Sequence, residues 1–134
     1  MTTRTRWAFA GVAAVLVVGL AVLLWPSSGR GVDLRASAGD YALRLTVDDP
    51  RVGANTVRVE VTDQAGGPVA ADEVTVEPVM ADMGHALAPV TATPDGPGRY
   101  TAAPTDLPMA GLWELTVTVR RDRTSAHAVF TLVV

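Results

Sequence analysis

Three of the four methionines and one of the two histidines fall close to strand ends: Met80, Met83 and His85 in Pro78-Val-Met-Ala-Asp-Met-Gly-His85, and Met109 in Leu107-Pro-Met-Ala-Gly111. Thioether sulfur is a soft, neutral donor and imidazole a borderline one, a set that favours Cu(I) over hard cations. A thioether has no proton to lose, so its share of binding persists in mildly acidic surroundings. Imidazole ligates only in its neutral form, so its share weakens as the solution turns acidic. The chain contains no Cys, which removes thiolate metal sites, disulfides, iron–sulfur clusters, a thiol nucleophile and cysteine lipidation together. Any soft-metal site is therefore limited to thioether and imidazole, and Met80, Met83, His85 and Met109 are its candidate ligands. The competing reading is packing, because methionine is a flexible filler of core gaps. Met80 ends an alternating strand and suits that role; an Asp-Met-Gly-His loop suits it less.

Other constellations fail on geometry. Asp48 and Asp49 precede Pro50, and adjacent residues of an extended chain point to opposite sides, so they cannot act as an acid/base pair. No nucleophile elbow with Ser, His and Asp and no phosphate-cradling glycine loop is present. Asp82 and the Gly53–Asn55 stretch read as turn residues, and Arg120-Arg121-Asp-Arg123 as a solvated strand end. His127 alternates with Ala128, Phe130 and Leu132 and is expected on a solvated face. Catalysis is not expected.

These residues must be positioned by a fold, and the sequence divides into two objects. Its 134 residues are 49% hydrophobic but only 5% aromatic, an imbalance that one segment produces. Residues 8–25, AFAGVAAVLVVGLAVLLW, carry no charge; as a helix they would extend roughly 27 Å, near the thickness of a hydrocarbon core. Trp7 and Trp25 bracket the run and Arg4 and Arg6 precede it. This arrangement places residues 1–7 as a cytoplasmic tip and everything after 25 outside. A cleaved signal peptide also has a basic start and an apolar core, but this run is longer than usual and ends in Leu-Leu-Trp-Pro, without a small-x-small site. The expectation is a single-pass cell-membrane protein with a transmembrane helix (signal anchor) at 8–25 and a linker at 26–39.

The exported part is expected to be all-β. Tyr41–Val47 and Val57–Thr62 alternate apolar with polar residues, the pattern of a strand with one buried face. Glu73–Val79, Val90–Thr93, Arg99–Ala103, Leu112–Arg120 and Ala126–Val134 follow, separated by Gly-, Pro- and Asp-rich turns. Seven short strands at this spacing predict an immunoglobulin-like seven-stranded sandwich over 40–134, with Trp113, Tyr100 and Phe130 as core aromatics. In such a sandwich, loops of different strand pairs gather at one end, so Met109 can meet the Met80–His85 loop. All eleven bases are Arg; removing Arg4 and Arg6 leaves nine against fourteen acids, a formal −5 for the exported part. That balance disfavours nucleic acid and anionic headgroups as partners.

The stretch from Tyr41 to Val119 resembles a YtkA-like domain, the small exported sandwich related to FixH-type proteins. The match is carried by Leu45-Thr-Val47, Val52-Gly-x-Asn55, Val57-x-Val-x-Val61, Met80-x-x-Met83-x-His85, Pro97-Gly-x-Tyr100, Leu107-Pro-Met109 and Gly111-x-Trp113. The resemblance implies copper as the metal, held through Met80, Met83, His85 and Met109. It also implies a role in copper handling or in the assembly of copper-containing membrane oxidases. Some relatives are fused to CopC- or CopD-like copper-resistance proteins; here a partner of that kind would be a separate membrane protein. The alternative is a metal-free interaction sandwich acting in assembly of an oxidase or transporter complex.

Overall fold

A computed structural model describes residues 30–134. The expected tip and transmembrane helix, 1–7 and 8–25, lie outside the described residues. Among those described, no helix is long and apolar enough to cross a membrane.

Ten strand segments form two antiparallel sheets. They are β1 (Val32–Ala38), β2 (Tyr41–Val47), β3 (Gly53–Thr62), β4 (Glu73–Met80), β5 (His85–Ala86), β6 (Val90–Thr91), β7 (Thr93–Pro94), β8 (Arg99–Leu107), β9 (Leu112–Arg121) and β10 (Thr124–Val133). One sheet has the order β1-β2-β3-β8-β7, the other β10-β9-β4-β5, with β6 also on β4. Period-two alternation sends Leu43, Leu45, Val57, Val59 and Val61 of the first sheet inward, against Val74, Val76, Leu115, Val117, Val119 and Phe130 of the second. Each such aliphatic side chain contributes about 1.5–3 kcal/mol when fully buried. Trp113, Tyr100 and Phe130 are all core residues, as expected. The Tyr100 hydroxyl accepts from the Ala71 amide at 2.7 Å and donates to the Val69 carbonyl at 3.1 Å, pinning the segment that leads into β4.

Several expectations are corrected. Residues 32–38 are not linker: β1 pairs with β2 along its whole length, from Val32↔Val47 to Ala38↔Tyr41. Its inward residues, Val32, Leu34, Ala36 and Ala38, alternate with Asp33, Arg35 and Ser37, but small alanines between glycines give a weak apolar signal. The strand count therefore exceeds seven. The expected strand Val90–Thr93 is split between sheets: Val90–Thr91 pairs with β4, whereas Thr93–Pro94 pairs with β8. At that point the chain crosses from one sheet to the other. Arg99–Ala103 extends to Leu107, and Val57–Thr62 begins at Gly53.

Asn55 is not a turn residue. It is buried at the start of β3, where its side-chain oxygen accepts from the Arg51 amide at 3.0 Å. Its side-chain nitrogen donates to the carbonyls of Arg51 and Gly53 at 2.7 and 2.9 Å. A buried amide with these bonds satisfied fixes the β2–β3 loop.

Candidate metal centre

The candidate donors sit on three kinds of backbone. Met80 ends β4, Met83 is in the turn that follows, and His85 opens β5. The Met83 amide donates to the Met80 carbonyl at 3.2 Å. Gly84 then takes φ +59° with nothing within 4 Å of where a Cβ would be, so glycine serves backbone conformation there rather than space. Only two residues of β5 pair with β4, Ala86 to Val79 and His85 to Met80.

One row crosses the second sheet at this level. Leu132 is opposite Trp113, Trp113 opposite Met80, and Met80 opposite His85. Directly opposed residues of antiparallel strands project to the same face. The row thus runs from buried Leu132, Trp113 and Met80 out to exposed His85 at the sheet margin.

Met109 arrives from the connection between β8 and β9. The Trp113 indole donates to the Met109 carbonyl at 2.9 Å, which ties the methionine loop to the core. Gly111 has φ +142°, and a Cβ there would stand 3.0 Å from the Met80 methyl. Gly111 and Val134 exchange two main-chain hydrogen bonds of 2.9 and 3.1 Å, and the Ala81 amide donates to the Leu112 carbonyl at 3.3 Å. The β4–β5 turn, the β8–β9 connection and the end of β10 are therefore joined at one end of the molecule.

The four expected ligands reach that end but differ in access. Met83 is 66% exposed and Met109 42%, with His85 also exposed, whereas Met80 is only 7% exposed. Met80 faces the core, its methyl against Gly111. Among the described residues, no three His, Asp or Glu side chains form a group that could hold a metal ion. A metal centre built from side chains of the described residues would therefore include the thioethers.

A family model for YtkA-like proteins matches residues 35–118, more than half of the 134 and inclusive of every candidate donor. The chain belongs to the YtkA-like family. No curated protein and no solved structure shows a significant match.

In this YtkA-like chain Asp82 shares the turn with Met80 and Met83, and the other candidate polar groups lie elsewhere. His127 is exposed on β10, opposite Thr118 and remote from the Met80–His85 row, as the alternation predicts. A shallow depression of about 450 Å3 on the outer face of the first sheet is lined by Arg35, Arg44, Glu60 and Thr62 among others, with no thioether among its lining. On that face Arg44 bonds Asp33 at 2.6 Å and approaches Glu60 at 3.5 Å, and Arg58 pairs with Asp48. The hydrogen bond from Arg44 holds the Asp33 carboxyl below its ordinary value, and the one Arg58 donates to Asp48 raises Arg58. Sequence reasoning did not find the Trp113–Met109 bond. The only trace of it is the four-residue spacing, and closure depends on the turn at Gly111.

Proposed function

We propose that this YtkA-like chain is a membrane-anchored extracytoplasmic module that takes Cu(I) as cargo through Met83, His85 and Met109 and passes it to a partner. The observation that carries this reading is the placement of three exposed soft or borderline donors on adjoining turns. A fourth thioether, Met80, packs beneath them. Soft neutral donors with an imidazole suit Cu(I), and they release it by ligand exchange without proton loss from sulfur. The expected four-ligand set narrows accordingly to three exposed donors, with Met80 as the packed floor.

Anchoring at 8–25 and export of the sandwich, read as immunoglobulin-like, belong to the same proposal; it is supported by the charge-free run and the flanking Arg and Trp residues. The chain acts here as a carrier or assembly factor for a copper-handling or oxidase-assembly membrane protein and performs no catalysis.

The test is a Cu(I) titration of the full chain against a colorimetric chelator. We expect one Cu(I) bound, and loss of at least tenfold in affinity for Met83→Leu combined with His85→Ala. An unchanged affinity in that double variant rejects the site.

The burial of Met80 together with the exposure of Val52 and Val133 favours a second reading, a metal-free interaction sandwich that docks onto a membrane complex. It requires that copper leave thermal stability unchanged.

A further inference from the structure

The two ends of the sandwich differ in exposed apolar side chains, and the chain enters the fold at one of them. Strand pairing places Val32, Val47, Gly53, Leu107, Leu112, Met80, His85 and Val133 at one end. This is the methionine end, and it is also where the chain enters the fold. A Cβ on Gly31 would stand 3.4 Å from the Asp48 carbonyl oxygen, so the entering segment runs beside the β2–β3 loop. Of the five large hydrophobic side chains exposed among the described residues, Val52, Met83, Met109 and Val133 are at this end; Val129, within β10, is the exception.

The opposite end is built from the turns after β1, β3, β7 and β9; both ends carry aspartates, Asp40, Asp63, Asp95 and Asp122 there and Asp48, Asp49 and Asp82 at the methionine end, so the difference lies in exposed apolar side chains. In those turns no large apolar side chain is exposed.

Residues 26–31 separate the proposed anchor from β1. Six residues span at most ~20 Å when fully extended. With the anchor in place, that reach keeps the entry end within about 20 Å of the bilayer surface, and an upright sandwich would put the opposite end farther out by about the length of a ten-residue strand, roughly 33 Å.

We infer that the crown formed by Val52, Met83, Met109 and Val133 faces the membrane and is the docking surface for an integral membrane protein whose extracytoplasmic rim presents soft metal donors. The exported part is formally −5, which disfavours anionic lipid as the occupant, and exposed apolar side chains around the donors suit a protein rim. Transfer at the crown is ligand exchange: one copper–sulfur bond breaks as one to the partner's donor forms, with the copper remaining Cu(I). The inference rests on the anchored-carrier reading, but its orientation can be measured without metal.

The native chain has no Cys, so single-cysteine variants accept a nitroxide at one place. Full-length Val52→Cys and Met83→Cys are compared with Gln64→Cys and Ala65→Cys in phosphatidylcholine nanodiscs. The relaxation agents are a headgroup-tethered nickel chelate and lipid-soluble oxygen. Expected is several-fold stronger nickel relaxation at 52 and 83 than at 64 and 65, with little oxygen relaxation at any position. Equal relaxation at the two ends, the reverse order, or release of the chain from the discs overturns the inference. Strong oxygen relaxation at 52 also overturns it, because lipid itself would then cover the crown. A failed Cu(I) titration with the nitroxide order intact rejects the copper cargo and leaves the orientation standing.

Discussion

The indole nitrogen of Trp113 donates to the main-chain oxygen of Met109 at 2.9 Å, so the most buried aromatic holds an exposed thioether in place. Trp113 is a core residue on β9 directly opposite Met80. One residue is thus register partner to Met80 and hydrogen-bonded to the exposed turn. Replacement by Phe keeps most of the apolar burial but removes the donor. We expect Trp113→Phe to lower stability by about 1–3 kcal/mol, because volume is lost and a partly buried carbonyl is left unpaired. Cu(I) affinity should fall as well. Chemical denaturation and the chelator competition are read on the same variant. Unchanged copper affinity would show that the loop keeps its place without the bond.

Met80 and Met83 separate packing from access. Met80→Ala should cost roughly 2–5 kcal/mol, as for a buried long aliphatic side chain. Met83→Ala, at an exposed turn, should stay within about 0.5 kcal/mol. Urea denaturation of the two variants checks this. Similar losses for both would contradict the inward placement of Met80.

Gly111 combines φ +142° with a virtual Cβ 3.0 Å from the Met80 methyl. Gly111→Ala forces an L side chain into a conformation it rarely adopts, at a cost of order 1–3 kcal/mol. The Met80 methyl can swing aside, so backbone strain makes the larger contribution. Gly84→Ala meets no atom and should cost less. A melting-temperature comparison of the two distinguishes a crowded turn from an open one.

Tyr100 bridges Ala71 and Val69 through its hydroxyl. Tyr100→Phe leaves a part-buried amide and a buried carbonyl without that partner, at about 1–3 kcal/mol. Faster hydrogen exchange at the Ala71 amide is the specific readout. Protection equal to the native protein would mean that another group takes over the bond.

Asp33 has its pKa lowered first by the Arg44 hydrogen bond, from an ordinary 3.8. A carboxyl depressed in the folded state stabilises the fold above the unfolded value, and that contribution is lost as pH falls through the folded one. Native protein should therefore lose a small increment of stability below about pH 4 that Asp33→Asn does not lose. Both partners are solvent-exposed, so the increment is small and shrinks with salt. Denaturation midpoints from pH 7 to pH 2, at low and high salt, provide the check.

Much of the architecture was legible because period-two alternation is a local property. Tyr41–Val47 needed no partner to be recognised, and the buried faces of β9 and β10 followed from the same rule. Where alternation is carried by alanines, as in β1, or broken by a change of sheet, as between Val90–Thr91 and Thr93–Pro94, the local signal fails. There the structure depends on which neighbour offers a free edge. Asn55 shows the same failure from the polar side: an amide two residues after a glycine looks like a turn until its three bonds are seen to be satisfied inside.

The sequence by itself determined the donor chemistry, because a chain with no Cys and a Met-x-x-Met-x-His run has only thioether and imidazole to offer a soft metal. The contrast between the charge-free run 8–25 and the alternating remainder is likewise read from composition alone. The tertiary structure decided which of those donors face solvent. Met80 and Met83 differ by three positions, yet strand register turns one toward Trp113 while the turn leaves the other exposed. Only the pairing of β1 with β2 and of β3 with β8 placed chain entry and the methionines at one end. Register is a relation between distant segments, and no local pattern encodes it.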